Sequence, residues 1–191
     1  MSSRLTCPVV CLGLVLGAMF GHARSGVPPE ARASVMDDKP APATLAKAKA
    51  SSWKTFKGAW FDINYPGDFK VVPGQKSSST DGVDAASFVS PDGRVEFHVF
   101  SPQWTGSPQW TLLQPGEKVV GRSEEMKDGK RVEWVTIAGP GGKYKRSYAD
   151  TTNETENTRR VFGIKYPNKS AYDAYRDLYL KFKESLQQYA D

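Results

Sequence analysis

The sequence predicts an α+β fold: an antiparallel β-sheet with a long C-terminal helix packed on one face. Three observations carry this. Between residues 53 and 166, short stretches of alternating apolar and polar residues recur, separated by Pro, Gly and Asp turns. From residue 170 the apolar spacing changes to that of a helix and holds almost to the C-terminus. All five tryptophans and all eight tyrosines lie beyond Ser52, so the residues able to fill a core are confined to 52–191. That length makes one domain, able to bury roughly two-thirds of its chain surface.

The elements follow in order. Trp53 to Tyr65 holds two strand-like pieces around Gly58, with Phe61, Ile63 and Tyr65 on one face and Pro66-Gly67 as the stop. Phe69 to Val72 is a short apolar run closed by Pro73-Gly74, and Gln75 to Asp84 is a polar loop. Ala86–Ser90 and Arg94–Ser101 flank Pro91-Asp92-Gly93, a turn in which Pro presets φ and Gly takes a positive one. Val119–Met126 pairs with Arg131–Ala138 across a turn centred on Asp128-Gly129, a two-residue hairpin signal. Gly139-Pro140-Gly141-Gly142 turns the chain into Lys143–Asp150, and a polar run separates that from Thr158–Tyr166. The helix is expected to be capped by Ser170, with Asp173 completing a capping box. Ala171, Tyr175, Leu178, Tyr179, Phe182 and Leu186 form its apolar face.

The N-terminal quarter is different. Residues 1–23 read as an export signal: Arg4 gives a positive start, Leu5–Phe20 is almost wholly apolar or small, and Gly21-His22-Ala23 fits cleavage after Ala23. A retained anchor competes, but the run is 16 residues long and contains Pro8, whereas a span needs about 20. A lipoprotein also competes, since Cys7 and Cys11 both lie here, yet Thr6 and Val10 precede them where a small residue belongs. Cleavage leaves a mature chain without cysteine, hence without disulfide or thiol chemistry. Residues 24–51, with four prolines and no aromatic residue, read as a flexible tether in which Thr44–Ala50 has the composition for a helical turn. The expected address is the periplasm or the cell exterior.

Charge excludes one class of function. The net charge is +5 and the pI about 9.1. Residues 52–191 carry 20 Lys and Arg against 18 Asp and Glu. A balance that near neutral lacks the dense basic face of a nucleic-acid binder.

Phe61-Asp62-Ile63-Asn64-Tyr65-Pro66, followed by Phe69-Lys70-Val71, resembles the opening strand and turn of the Mog1/PsbP/DcrB-like superfamily. The hairpins and the terminal helix with Tyr175, Tyr179, Phe182 and Leu186 match in order over roughly residues 53–190. The resemblance implies an α/β/α sandwich and a binding or assembly-accessory role. Its members share a scaffold but no catalytic residue, and serve partners as different as a photosystem and a nuclear transport GTPase. Within it, a helix near the N-terminal strand would have to come from 41–52 or 106–116.

Little chemistry is legible. The mature chain has one histidine, His98, which shares a strand face with Glu96 and reads as exposed or partly paired. One His and one carboxylate are too few for zinc, and no Gly-x-Ser-x-Gly elbow is present. An envelope hydrolase using Glu96, Glu133 and His98 is the alternative to a binding module. Asp150, Glu154 and Glu156 lack the spacing of a calcium loop. No catalytic residue, metal ligand or cofactor is therefore assigned.

Two features suggest a contact surface. Ser101-Pro102-Gln103-Trp104-Thr105 is repeated, after Gly106, as Ser107-Pro108-Gln109-Trp110-Thr111. Trp104 and Trp110 either form an aromatic platform or fold back onto the sheet. Tyr144, Arg146 and Tyr148 alternate onto one strand face, as do Arg160, Phe162, Ile164 and Tyr166 on the next. If those strands pair, Arg146 and Arg160 meet and hold a carboxylate or phosphate beside tyrosine hydroxyls. Otherwise the arginines cover the sheet with their stems. The reading is thus a monomeric, exported module binding an envelope protein or small ligand, with no nucleic acid and no membrane span after signal removal.

Overall fold

The computed structural model describes residues 45–104 and 106–189. These belong to the second of the two units into which the chain divides, Pro40–Asp191. The expected signal segment, both cysteines and the tether up to residue 44 lie outside the described residues.

In chain order the elements are β1 (Trp53–Lys57), β2 (Phe61–Pro66), β3 (Lys70–Pro73), β4 (Ala85–Val89), β5 (Glu96–Phe100), β6 (Lys118–Lys127), β7 (Lys130–Ala138), β8 (Lys145–Asn153), β9 (Thr158–Tyr166), α1 (Lys169–Glu184) and β10 (Gln187–Gln188). All pairings are antiparallel. The sheet expected from the sequence is in fact two: a small one, β1-β2-β10, and a seven-stranded one ordered β3-β4-β5-β9-β8-β7-β6. The hairpin turns behave as their residues dictate. At the β6–β7 turn Asp128 and Gly129 both take positive φ, 52° and 72°, the backbone a two-residue turn needs to match strand twist.

One face of the large sheet is closed by α1 and β2. Phe88 of β4, Phe97 and Val99 of β5, and Phe162 and Ile164 of β9 meet Phe61 and Ile63 of β2 and Tyr175, Tyr179 and Phe182 of α1. Phe182 is wholly buried, its ring centroid 5.2 Å from Phe88 and 5.4 Å from Phe97. Such tilted and edge-on aromatic pairs favour the geometry beyond the area they bury.

The helix begins earlier than expected. Its N-cap is Asn168, not Ser170: the Asn168 Oδ1 accepts from the Ala171 N–H at 2.9 Å. The Ser170 hydroxyl accepts from the Leu45 N–H instead, at 3.1 Å. Residues 45–50, assigned to the tether by composition, form no helical turn and run against α1. Leu45 and Ala48 pack on the core, and the Ala48 N–H donates to the Ala174 carbonyl at 2.9 Å. Two apolar side chains, two backbone N–H donors and the Lys47–Asp177 ion pair order a strap that has no aromatic residue.

The opposite face of the large sheet carries no α-helix among the described residues. Residues 101–104 and 106–117 lie across it, with one 3-10 turn at Gln109–Thr111. Among the described residues that face is covered by this loop, in which Pro102, Pro108 and Pro115 rule out a continuous helix.

Candidate functional site

The outer face is set by strand register. Ser87 of β4 lies opposite His98 of β5, which lies opposite Gly163 of β9, which lies opposite Tyr148 of β8. These four residues form one row beneath the 101–117 loop. Gly163 leaves a slot in the row. A Cβ there would sit 2.4 Å from the Trp110 ring, so only glycine lets that ring descend to the sheet.

Trp110 occupies the slot and stacks flat on His98, ring centroids 4.8 Å apart and planes 7° apart. Its Nε1–H donates to Glu96 Oε1 at 3.2 Å, the Arg146 guanidinium lies 5.1 Å from its centroid, and Tyr148 meets it edge-on. Of the two outcomes open to the repeat, Trp110 folds back onto the sheet, while Trp104 is 42% exposed. The two indoles do not form a joint platform.

Two guanidinium clamps hold the loop down. Arg146 is buried and paired with Glu117: its Nε donates to Glu117 Oε1 at 2.7 Å, and its Nη atoms donate to Glu117 Oε2 and to the carbonyls of Trp110 and Leu112. The Tyr144 hydroxyl donates to the same carboxylate at 2.8 Å. These donors, the Arg146 side chain first, hold the Glu117 carboxyl down to about 2. Arg159 grips Asp150 with Nε at 3.0 Å and donates to the Gly106 carbonyl from Nη1. Charge-assisted forks of this kind fix orientation as well as adding energy.

The expected arginine pair does not form. β8 and β9 do pair, but Arg146 lies opposite Lys165 and Arg160 opposite Thr151. The two arginines therefore project from opposite faces, since neighbours in register share a face. Arg160 is exposed. Arg146 has its donors committed to the loop, and Tyr144 is committed to Glu117. Of the residues expected to bind a ligand, Trp110, Arg146, Tyr144 and Tyr148 are gathered at the loop; Trp104 and Arg160 stand apart.

His98 differs most from its expectation. It is 5% exposed rather than solvated. Its Nδ1 lies 3.0 Å from Ser87 Oγ, and Ser87 donates to Glu96 Oε1 at 2.6 Å. A hydroxyl has one proton, and Ser87 gives it to Glu96. The imidazole must therefore carry its own proton on Nδ1 and donate it to Ser87. Burial first, and the Arg146 charge second, lower the His98 pKa to about 3. Nε2 is then a bare lone pair, buried and without a partner. An orphaned buried acceptor costs about 1–3 kcal/mol.

Beside this histidine is a cleft of about 690 Å³. Val72, Pro73, Ala85, Phe100 and Trp110 form its apolar walls, His98 and Ser87 lie in its lining, and Gln75, Lys76 and Gln109 add polar groups. Clefts of about 300–1,000 Å³ with apolar walls and few placed polar groups are the usual form of a small-molecule site. No group of three or more metal-ligating side chains occurs among the described residues.

Sequence reasoning missed Ser87, Glu117, Arg159 and Gly163. Ser87 was within reach: the Pro91-Asp92-Gly93 turn sets the hairpin register, and the register puts Ser87 opposite His98. No local signal marks Glu117 or Gly163, whose partners lie 29 and 53 residues away in the chain.

No family model matches the chain, and no curated protein matches it by sequence. Its fold is similar to solved structures of two kinds. Cyanobacterial PsbP (CyanoP) from Synechocystis sp. PCC 6803 superposes with a TM-score of 0.46 at 13% identity, over 76% of this chain and 97% of that one. The Ran-binding protein Mog1p of Saccharomyces cerevisiae superposes with a TM-score of 0.43 at 10% identity, over 73% of this chain and 96% of that one. PsbP and Mog1 are two of the three names in the resemblance carried by residues 61–71.

Proposed function

We propose that this chain is an exported, non-catalytic binding or assembly-accessory module whose contact site is the loop-covered outer face of its large sheet. The observation that carries the reading is how the polar groups of that face are committed. Arg146 and Arg159 are spent on holding the loop, and the Ser87 proton is spent on Glu96. What remains open is a cleft with apolar walls, the form of a small-molecule site. Export rests on the leader, residues 1–23.

The hydrolase alternative finds less support. A nucleophile–base–acid relay needs the histidine between the serine and the carboxylate. Here the serine is in the middle, so Ser87 is a poor nucleophile and His98 is not its base. Glu133, the other carboxylate considered, is paired with Arg122.

The test is native mass spectrometry of the protein purified gently from its own envelope fraction. The expected species is a chain beginning at Arg24 that carries additional non-covalent mass. The Trp104→Ala/Trp110→Ala variant, folded by circular dichroism, should lose that mass. Retention of the same mass by the variant places the contact elsewhere. A hydrolytic turnover abolished by His98→Ala would favour the enzyme instead.

A further inference from the structure

We infer that the cleft between β3 and the Gln109–Thr111 turn binds an uncharged, largely apolar small molecule that donates one hydrogen bond, from N–H or O–H, to His98 Nε2. The inference deepens the binding reading and rests on it, but it commits to a ligand chemistry of its own.

Four observations select that chemistry. The first is polarity: Ser87 fixes the imidazole proton on Nδ1, so Nε2 presents a lone pair, and a ligand must bring a donor. Nε2 is the one buried side-chain nitrogen without a partner among the described residues. The second is charge. Arg146 lies close enough to depress the imidazolium form of His98, so a cationic donor at Nε2 meets the same repulsion. A carboxylate there would face a lone pair. A neutral donor escapes both penalties. The third is surface: Val72, Phe100 and Trp110 line the cleft, which favours an apolar or aromatic body. The fourth is size, since about 690 Å³ suits a molecule of drug-like dimensions.

Nε2 is covered as the structure stands. The turn beside it is tied to the β3 side by a long bond, from the Gln109 N–H to Gln75 Oε1 at 3.4 Å. The inference requires a local opening at this turn before a donor reaches Nε2.

The experiment uses matched probes: indole and phenol, which carry a donor, and N-methylindole and anisole, which keep the shape and lose it. Each is titrated into the intact protein by calorimetry, while the ¹⁵N shift of His98 Nε2 is followed by NMR. Indole or phenol should bind and move the Nε2 resonance in the direction of an acceptor that gains a hydrogen bond. The methylated pair should bind at least tenfold more weakly. His98→Phe, which keeps a ring under Trp110, should lower indole affinity at least tenfold while circular dichroism stays unchanged. If His98→Phe unfolds, the Nε2 shift in the unmodified protein decides alone. Equal binding of indole and N-methylindole overturns the donor rule but leaves a binding cleft. Binding of none of the four probes overturns the inference, while non-covalent mass on the purified protein would still uphold the broader reading.

Discussion

His98 pairs a common residue type with an uncommon environment. Its folded pKa is near 3 against an ordinary value of 6.5, because burial and the Arg146 charge both disfavour the imidazolium. The unfolded chain therefore takes up a proton below pH 6.5 that the folded chain refuses. This contribution to stability is complete above pH 6.5 and is lost as the pH falls toward 3. The slope approaches 1.4 kcal/mol per pH unit. Glu117 has the same sign for a different reason: its folded pKa is depressed to about 2 from 4.5, so its contribution fades only below about pH 4.5. The window from pH 7 to 5.5 thus isolates His98. Urea unfolding should show a loss of about 1 kcal/mol across it. The His98→Phe variant should be flat over the same range; an equal slope in the variant would show that another group titrates.

At the scale of elements, the loop 101–117 depends on a side chain that is missing. Gly163 admits Trp110, and Trp110 then covers His98 and walls the cleft. Gly163→Ala places a methyl group 2.4 Å from the indole, so the ring must shift. The variant should lose about 1–3 kcal/mol, the usual cost of overpacking. Its tryptophan fluorescence should shift to the red as Trp110 lifts toward water. Unchanged emission would mean that the indole finds another buried seat. The two arginine clamps limit the damage: with Glu117 and Asp150 still gripped, the loop should lift locally and the strands beneath it persist.

Across the whole domain, burial is lopsided. β4, β5 and β9 lie beneath α1 and β2 and hold most of the core, whereas every residue of β6 is exposed. Native-state hydrogen exchange should therefore protect the amides of β5 and β9 most, since opening them needs global unfolding. β6, an edge strand beyond the helix, should exchange orders of magnitude faster. Phe182→Ala, which leaves a hole shared by Phe88, Phe97, Phe162 and Tyr179, should cost about 3–5 kcal/mol. It should also collapse the protection of β5 and β9 together, and a loss confined to α1 would argue that helix and sheet unfold separately.

Features under local chemical control are readable along the chain. Asp128-Gly129 and Pro91-Asp92-Gly93 name their turns because only certain residues accept those backbone angles. The change of apolar period near residue 170 separates helix from strand because side-chain direction follows backbone geometry. The α+β class, the strands from β4 to β9 and the apolar face of α1 were all legible for that reason. Contacts between residues far apart in the chain emerge only on folding. Alternation shows that Tyr144, Arg146 and Tyr148 share a face. It cannot show that Arg160 falls on the other one, because one residue of register reverses every side chain of a strand. Nor does a lone His beside a Glu reveal a buried lone pair. That state needs Ser87 from β4, the Trp110 ring from the loop, Gly163 from β9 and the Arg146 charge from β8 around the same imidazole. The physics of the site is burial and mutual polarisation among these groups, which exist only once the strands have paired and the loop has closed over them.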